Sequence, residues 1–461
     1  MRSSRKSTRA RRKGAALVIA MVFVVIFSAL GIGMVTMSGA NVQIADNHRN
    51  LNGALTAAQS GQDVVRYCLS RILISSATPT SQYLSEIITA IQTDLTNNGV
   101  SAISLGNGGS ITSTTLDSVT GRNFDAQLVV DPHLPTVLQA RVTGHSGQSS
   151  RTITTCYNIQ PYRFPIFDFG LATKGPLDFP GNPTIVAANE AWEADMFVES
   201  ADSPVAVHVG GNLNFDGDVN IGNAAANVDF VGAVQIAGDT GQTAIDNHVS
   251  IGADSPEFPV PNTAHFLQYA TGQVVDSSTD LSKGITLVNA KIAAGTNPTF
   301  LGTATIQGVL YIESPNVVTF DRNVALQGVI VADGDASNPD PSINRIDVVG
   351  NFASQPYPSD PQFDAIRQEE GSSIIAPGFA TSFSGNFSTL EGVIAVSGAH
   401  FSGNMSALIK GTIINYAGSS TVVEGNATMN FDRVNSVKIP AGFDLYQELD
   451  YVPSTYSESA T

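Results

Sequence analysis

Charge is scarce in this chain of 461 residues: Asp, Glu, Lys and Arg together make up 14% of it. Basic residues number 23 against 40 acidic ones, and seven of the 23 fall in the first 13 positions. The body beyond Gly14 therefore has no basic stripe to neutralise phosphates, which argues against a nucleic-acid-binding protein. There are two cysteines, Cys68 and Cys156, and neither belongs to a C-x-x-C pair, which argues against thioredoxin-like and metal-binding cysteine chemistry. Trp192 is the single tryptophan. No H-E-x-x-H, G-x-S-x-G, phosphate-binding loop or dinucleotide fingerprint occurs. No acidic residue precedes Asp46, and no proline lies between Met1 and Ala77.

What is present begins with "RRKGAALVIAMVFVVIFSALGIGM", residues 11–34. Ala15 to Met37 is an uncharged run of 23 residues. As a helix it spans about 34 Å, enough to cross a bilayer. The basic leader, residues 1–14, reads as a cytoplasmic topology signal, which puts everything after Met37 outside. Val42, Ile44, Leu51, Leu55, Val64, Val65 and Leu69 continue the apolar pattern, so one helix is predicted over residues 15–72, transmembrane in 15–37.

A basic leader, a glycine, a long apolar helix and the downstream "AAQSG" of Ala57–Gly61 resemble the N-terminal segment of type IV pilins and type II secretion pseudopilins, and most closely PilX-type minor pilins. The resemblance covers about residues 11–72. It implies cleavage by a prepilin peptidase between Gly14 and Ala15, and association with other pilin or pseudopilin subunits through the helix. Major pilins carry Glu at the fifth mature position, whereas this chain has Ile19. That departure fits a minor subunit, particularly one at a tip.

Residues 73–162 read as a small α/β head. "SQYLSEIITAIQTDLTNNG" has helical spacing, and "FDAQLVVD", "TVLQARVTG" and "SRTITTCYNIQ" alternate as strands. Cys68 falls near the end of the long helix and Cys156 on the last of these strands. They are read either as one disulfide pinning sheet to helix or as two unrelated buried thiols.

After the hinge "PYRFPIFDFG" the texture changes to short alternating runs punctuated by glycine. Glycines recur at 308 and 328, at 392 and 411, and at 385, 403 and 425, a period near 20. Such a repeat predicts a β-solenoid over 163–445, a right-handed parallel β-helix in preference to a β-sandwich. Val309, Val329, Val393 and Ile413 follow equivalent corners, and one of each glycine-flanking pair is expected to point inward, forming an aliphatic ladder. "DSPEFPVPNTAHFLQYATG" and "SQPYPSDPQFDAIRQEEG" interrupt the coils and are expected to lie as flaps on one face or over an end. The acidic tail, 446–461, is expected to be exposed or frayed. The fold class is thus α+β and pilin-like at the N-terminus, followed by a mainly-β domain.

Catalytic chemistry is thin. Asp216, Asp218 and Asp229 read as solvated turn acids, because the calcium-loop glycine is replaced by Ile221. Asp333, Asp335 and Asp340 make a better loop for a loosely held cation. The histidines, at 48, 133, 145, 208, 248, 265 and 400, lack ligand spacing. No cofactor, metal site or catalytic residue is expected. The expected function is an inner-membrane-anchored, non-enzymatic pilin-like minor subunit. The alternative is an anchored carbohydrate-binding or polysaccharide-degrading β-helix protein.

Overall fold

The computed structural model describes residues 13–106, 108–113, 116–117, 119–386, 388–403, 406–435 and 439–460. The chain divides into two units, one formed by residues 1–162 and 446–461, the other by 163–445. The second is thus an insertion between the last two strands of the first.

In the first unit α1 runs from Lys13 to Ser70, about 87 Å at 1.5 Å per residue, close to the predicted 15–72. The basic leader before Lys13 lies outside the described residues. α2 (Tyr83–Asn97) turns Tyr83, Ile87, Ile91 and Leu95 inward at i, i+4 spacing. The strands are β1 (Ile74–Ser75), β2 (Ile103–Leu105), β3 (Ser110–Ser113), β4 (Asn123–Val130), β5 (Val137–Ser146), β6 (Ser149–Pro161) and a C-terminal strand, Tyr446–Ala460. They form one antiparallel sheet in the order β1, C-terminal strand, β6, β5, β4, β3, β2.

The C-terminal half of α1 lies on this sheet through small residues. Gly53, Ala54, Ala57, Ala58 and Gly61 are buried. A Cβ on Gly144 of β5 would lie 2.2 Å from the Ala54 carbonyl oxygen, and one on Gly61 would lie 2.6 Å from the Phe124 ring. The "AAQSG" segment is therefore the flat face that lets helix and sheet touch. Gln62 adds a polar tie, donating to Thr155 Oγ1 at 2.9 Å and to Tyr157 Oη at 3.1 Å.

The disulfide reading of the cysteines and the frayed reading of the tail fall away here. Cys68 and Cys156 are both free thiols. Strand alternation is the reason: Ile153, Thr155, Tyr157 and Ile159 face α1, so Cys156 faces the opposite side of the sheet, while Cys68, on α1 itself, is buried in the core between helix and sheet. The tail is not frayed either. Gln447 to Ala460 pairs with β6, with one irregularity between Val452 and Ser457. Its alternation places Leu449 in the core and Tyr451 5.5 Å from Tyr157, with the Arg66 guanidinium 4.7 Å over the Tyr451 ring.

The second unit is mainly β, and its strands fall into three sheets of almost entirely parallel pairing. The chain visits the sheets in rotation. Leu171–Thr173 enters sheet I, Leu177–Phe179 sheet II and Thr184–Ala187 sheet III, before Met196–Val198 returns to sheet I beside Leu171–Thr173. The stacking order is not the chain order. From Leu171–Thr173 the strands move outward to Val249–Ile251. The chain then passes to the other end at Val274–Val275 and builds back from Ile285–Ile292 to Ile413–Asn415. There the last strands dock on the first: Ile413 pairs with Leu171, Thr421 with Leu177 and Thr428 with Thr184.

One apolar core runs through all three sheets, with Phe300 stacked on Phe320 at 4.8 Å and Phe383 on Phe401 at 5.2 Å. Leu310, Ile330, Ile394 and Ile413 belong to it. Val309, Val329 and Val393 do not; they are buried on the outer face of sheet I instead. Both Pro-rich insertions pack onto that sheet, through the 3-10 turns Thr263–Tyr269 and Ile366–Gln368. They are flaps on one face.

Two buried polar networks hold the seam between first and last strands. At one corner Asn415 Nδ2 donates to Thr173 Oγ1 at 3.1 Å and to Thr421 Oγ1 at 2.8 Å. At another, the fully buried Glu193 carboxylate accepts the backbone N–H groups of Asn189 (2.7 Å), Glu190 (3.0 Å), Arg433 (2.6 Å) and Val434 (3.0 Å). The Arg433 guanidinium, 2% exposed as a residue, donates to the carbonyls of Phe167, Asp168 and Glu193. Glu193→Ala removes an acceptor shared by four backbone donors beside a buried cation, and is expected to cost about 3–5 kcal/mol. A thermal melt of the full chain should show a large loss for Glu193→Ala and a smaller one for Glu193→Gln, which keeps an acceptor in place.

Candidate functional site

From Leu17 to Ile44 the side chains of α1 have no neighbour to bury them. Leu17, Val18, Ile19, Met21, Val22, Phe23, Val24 and Val25 are each more than half exposed, and the apolar surface goes all round the helix. A helix apolar on every face belongs in lipid or among other helices. Among the described residues α1 is the one helix long and apolar enough to cross a membrane. A Cβ added at Gly31, Gly33 or Gly39 would meet nothing within 4 Å, so their smooth surface is open to a neighbouring helix. Gly14 and Ala15 lie in the first turns of the same helix.

The turn acids find local work. Asp216 Oδ2 accepts from Ala187 N–H at 3.1 Å, and Asp333, Asp335 and Asp340 accept from the N–H groups of Ser314, Ser337 and Ser342. Five of the seven histidines pair with carboxylates instead of gathering: His145 with Asp125, His208 with Asp229, His248 with Asp218, His265 with Glu369 and His400 with Glu424. Among the described residues no group of three or more His, Cys, Asp or Glu is placed to hold a metal ion. Trp192 lies 5.6 Å from the Arg433 guanidinium and caps the seam. Burial draws the Arg433 pKa down to about 10, still charged at neutral pH.

The seam is not legible from motif spacing, and it holds the most perturbed carboxyl of this unit. Burial raises the Asp195 pKa to about 6, against the Asp218 N–H that donates to its Oδ1 at 2.8 Å. For Glu193 burial pushes upward too, but the N–H donors of Arg433, Glu190 and Asn189 outweigh it and hold the pKa below the usual value.

The signs are opposite. A carboxyl with a raised folded-state pKa binds its proton more tightly folded than unfolded, so the Asp195 contribution is full below the unfolded pKa and is lost as pH rises from about 4 to about 6. Asp195→Asn should therefore raise the thermal midpoint relative to the parent at pH 7.5 and leave it unchanged at pH 4. An equal effect at both pH values would mean that Asp195 does not titrate in this window.

Residues 13–62 match the family model described as PilX N-terminal. Among solved structures, a competence-associated pilin, ComZ, from Thermus thermophilus aligns over 89% of this chain and 98% of its own at 12% identity, with a TM-score of 0.22, too low to bear on fold or function. A comparison with curated proteins returns no match. The exposed apolar half of α1, its small-residue face at Ala57–Gly61 and the match to the PilX N-terminal model over 13–62 together mark residues 13–62 as a type IV pilin-like N-terminal segment.

Proposed function

We propose that the protein is a minor, non-enzymatic pilin-like subunit of a type IV pilus or type II secretion pseudopilus. The leader stays in the cytoplasm, the apolar half of α1 sits in the inner membrane, and the inserted module lies on the extracytoplasmic side for assembly, adhesion or surface interaction. The observation that carries the reading is the continuity of α1: its bare apolar half passes without a break into a half packed on the head sheet. Packed among the helices of other subunits, that bare half would lose the exposure it now has.

We read the three sheets of the inserted unit as the faces of a right-handed parallel β-helix. Visiting the sheets in rotation supports this reading, as does the strong right-handed preference of connections between parallel strands. Ile19 at the fifth position after Gly14 favours a subunit used once over one repeated along the shaft, because no carboxylate is present there to pair with a neighbouring terminal amine.

Prepilin processing is tested by mass spectrometry of the protein from cell envelopes. The expected mature chain begins at Ala15. A chain that retains Met1 would make the helix a plain anchor, and one beginning at Asn41 would make the protein a secreted one.

A further inference from the structure

A stack of parallel strands has two ends, and each leaves apolar side chains and unpaired backbone to be covered. At one end of the inserted unit they are covered. Val275 and Phe300, on the last strands of sheets I and II, are fully buried there, and Leu281 packs against the core. The Leu301 N–H donates to the Leu281 carbonyl at 3.0 Å, so the segment 276–284 lies along the strand edge.

The opposite end is different. Asn227–Phe230 is the outermost strand of sheet II there, and Val249–Ile251 that of sheet I. Val228 and Phe230 continue the inward column of Val207 and Val209, and Val249 and Ile251 continue that of Val219 and Ile221. The inner members of both columns are buried. The outer ones are not: Val228, Phe230 and Val249 are half-buried, Ile251 is 44% exposed, and Val231, at the next corner, is 70% exposed. The backbone is open as well. The N–H groups of Asn227 and Val231 donate to the carbonyls of Pro204 and Val209, at the two ends of the neighbouring strand, both at 2.9 Å. Alternation therefore turns the N–H and C=O groups of Val228 and Phe230 outward, where the sheet has no further strand. The short helix Gln242–His248 packs on the sheet III side and seats Ala244 in the core.

Charge decides what can come here. No Lys or Arg occurs between Lys174 and Lys283, a stretch that holds fifteen Asp and Glu. Asp202, Asp229, Asp246 and Asp254 are exposed in the strands and turns of this end. A second copy does not fit. Two open ends would bring like charges together, and the other end is already covered by a segment that carries Asp276 and Asp280. An extended chain with alternate apolar side chains and flanking cations meets all three features: the backbone edge, the apolar end and the acidic surround.

We propose that the open end, at Asn227–Val231 and Val249–Ile251, docks an extended segment of another protein, apolar at alternate positions and flanked by Lys or Arg, which adds as a further strand beside Asn227–Phe230. The site rests on the inserted unit alone and does not depend on how the N-terminal helix is used.

The probe is the fluorescein-labelled peptide KKVTVTVTVKK, titrated into the full chain in detergent and followed by fluorescence anisotropy. It should bind saturably and more weakly as salt is added. The acidic peptide EEVTVTVTVEE should not bind, and KKVTVPVTVKK, whose central proline breaks strand pairing, should bind at least tenfold more weakly. Val228→Pro removes an outward N–H and no bond of the sheet, so it should weaken binding tenfold or more with little change in the thermal midpoint. Val231→Lys leaves the edge intact and should weaken binding by repulsion, which decides the matter if Val228→Pro does not fold. In hydrogen exchange the bound peptide should slow the amides of residues 227–231 and leave those of 299–301 unchanged. Absence of saturable binding, equal binding of the acidic peptide, undiminished binding in the folded variants, or protection elsewhere would overturn the assignment. So would a concentration-dependent dimer that Val231→Lys dissolves, which would give this end to a second copy.

Discussion

The inserted unit hangs on one seam, where the strands laid down last meet those laid down first. Every other neighbour in the stack comes from the same run of chain, but Ile413–Leu171, Thr421–Leu177 and Thr428–Thr184 join segments separated by more than two hundred residues. Without that seam the unit is two short stacks, each with an open apolar end. Backbone pairing alone would leave the register there weakly specified. The buried Asn415 amide and the Glu193 carboxylate specify it, because each finds all its partners in one alignment only. Shifting the seam by one residue would strand a charge and several N–H groups in the core.

Much of this is written in the sequence, and the gaps have physical causes. The long helix, the antiparallel head and a repeat near 20 residues are periodic signals, and periodicity survives without knowledge of neighbours. A repeat says that strands stack but not which strand lies on which, so the reordering round residue 171 is invisible in it. Sequence position suggests pairing the two thiols, whereas the side of the sheet that Cys156 occupies depends on which face of β6 meets α1. The tail looks too acidic to pack, yet Glu448 and Asp450 alternate with Leu449 and Tyr451, a period of two that a count of charges conceals.

The glycine-flanked valines carry a similar lesson. "GVLYI", "VIVA" and "SSIIA" are buried without alternation, which marks a strand covered on both faces. An aliphatic ladder pointing inward explains half of each run. The other half needs a cover, and the Pro-rich insertions supply it. By composition they are interruptions, but in the fold they are the second layer over sheet I.

The place where the insertion enters the head has a consequence for the order of events. β6 and the C-terminal strand are neighbours in one sheet, yet the whole inserted unit is synthesised between them. Until the strand Tyr446–Ala460 emerges, β6 presents an unpaired edge from Arg151 to Pro161, on the same sheet that seats α1. Such an edge is a template for wrong partners. The strand Tyr446–Ala460 therefore closes the head sheet and covers that edge only after the inserted unit has been made.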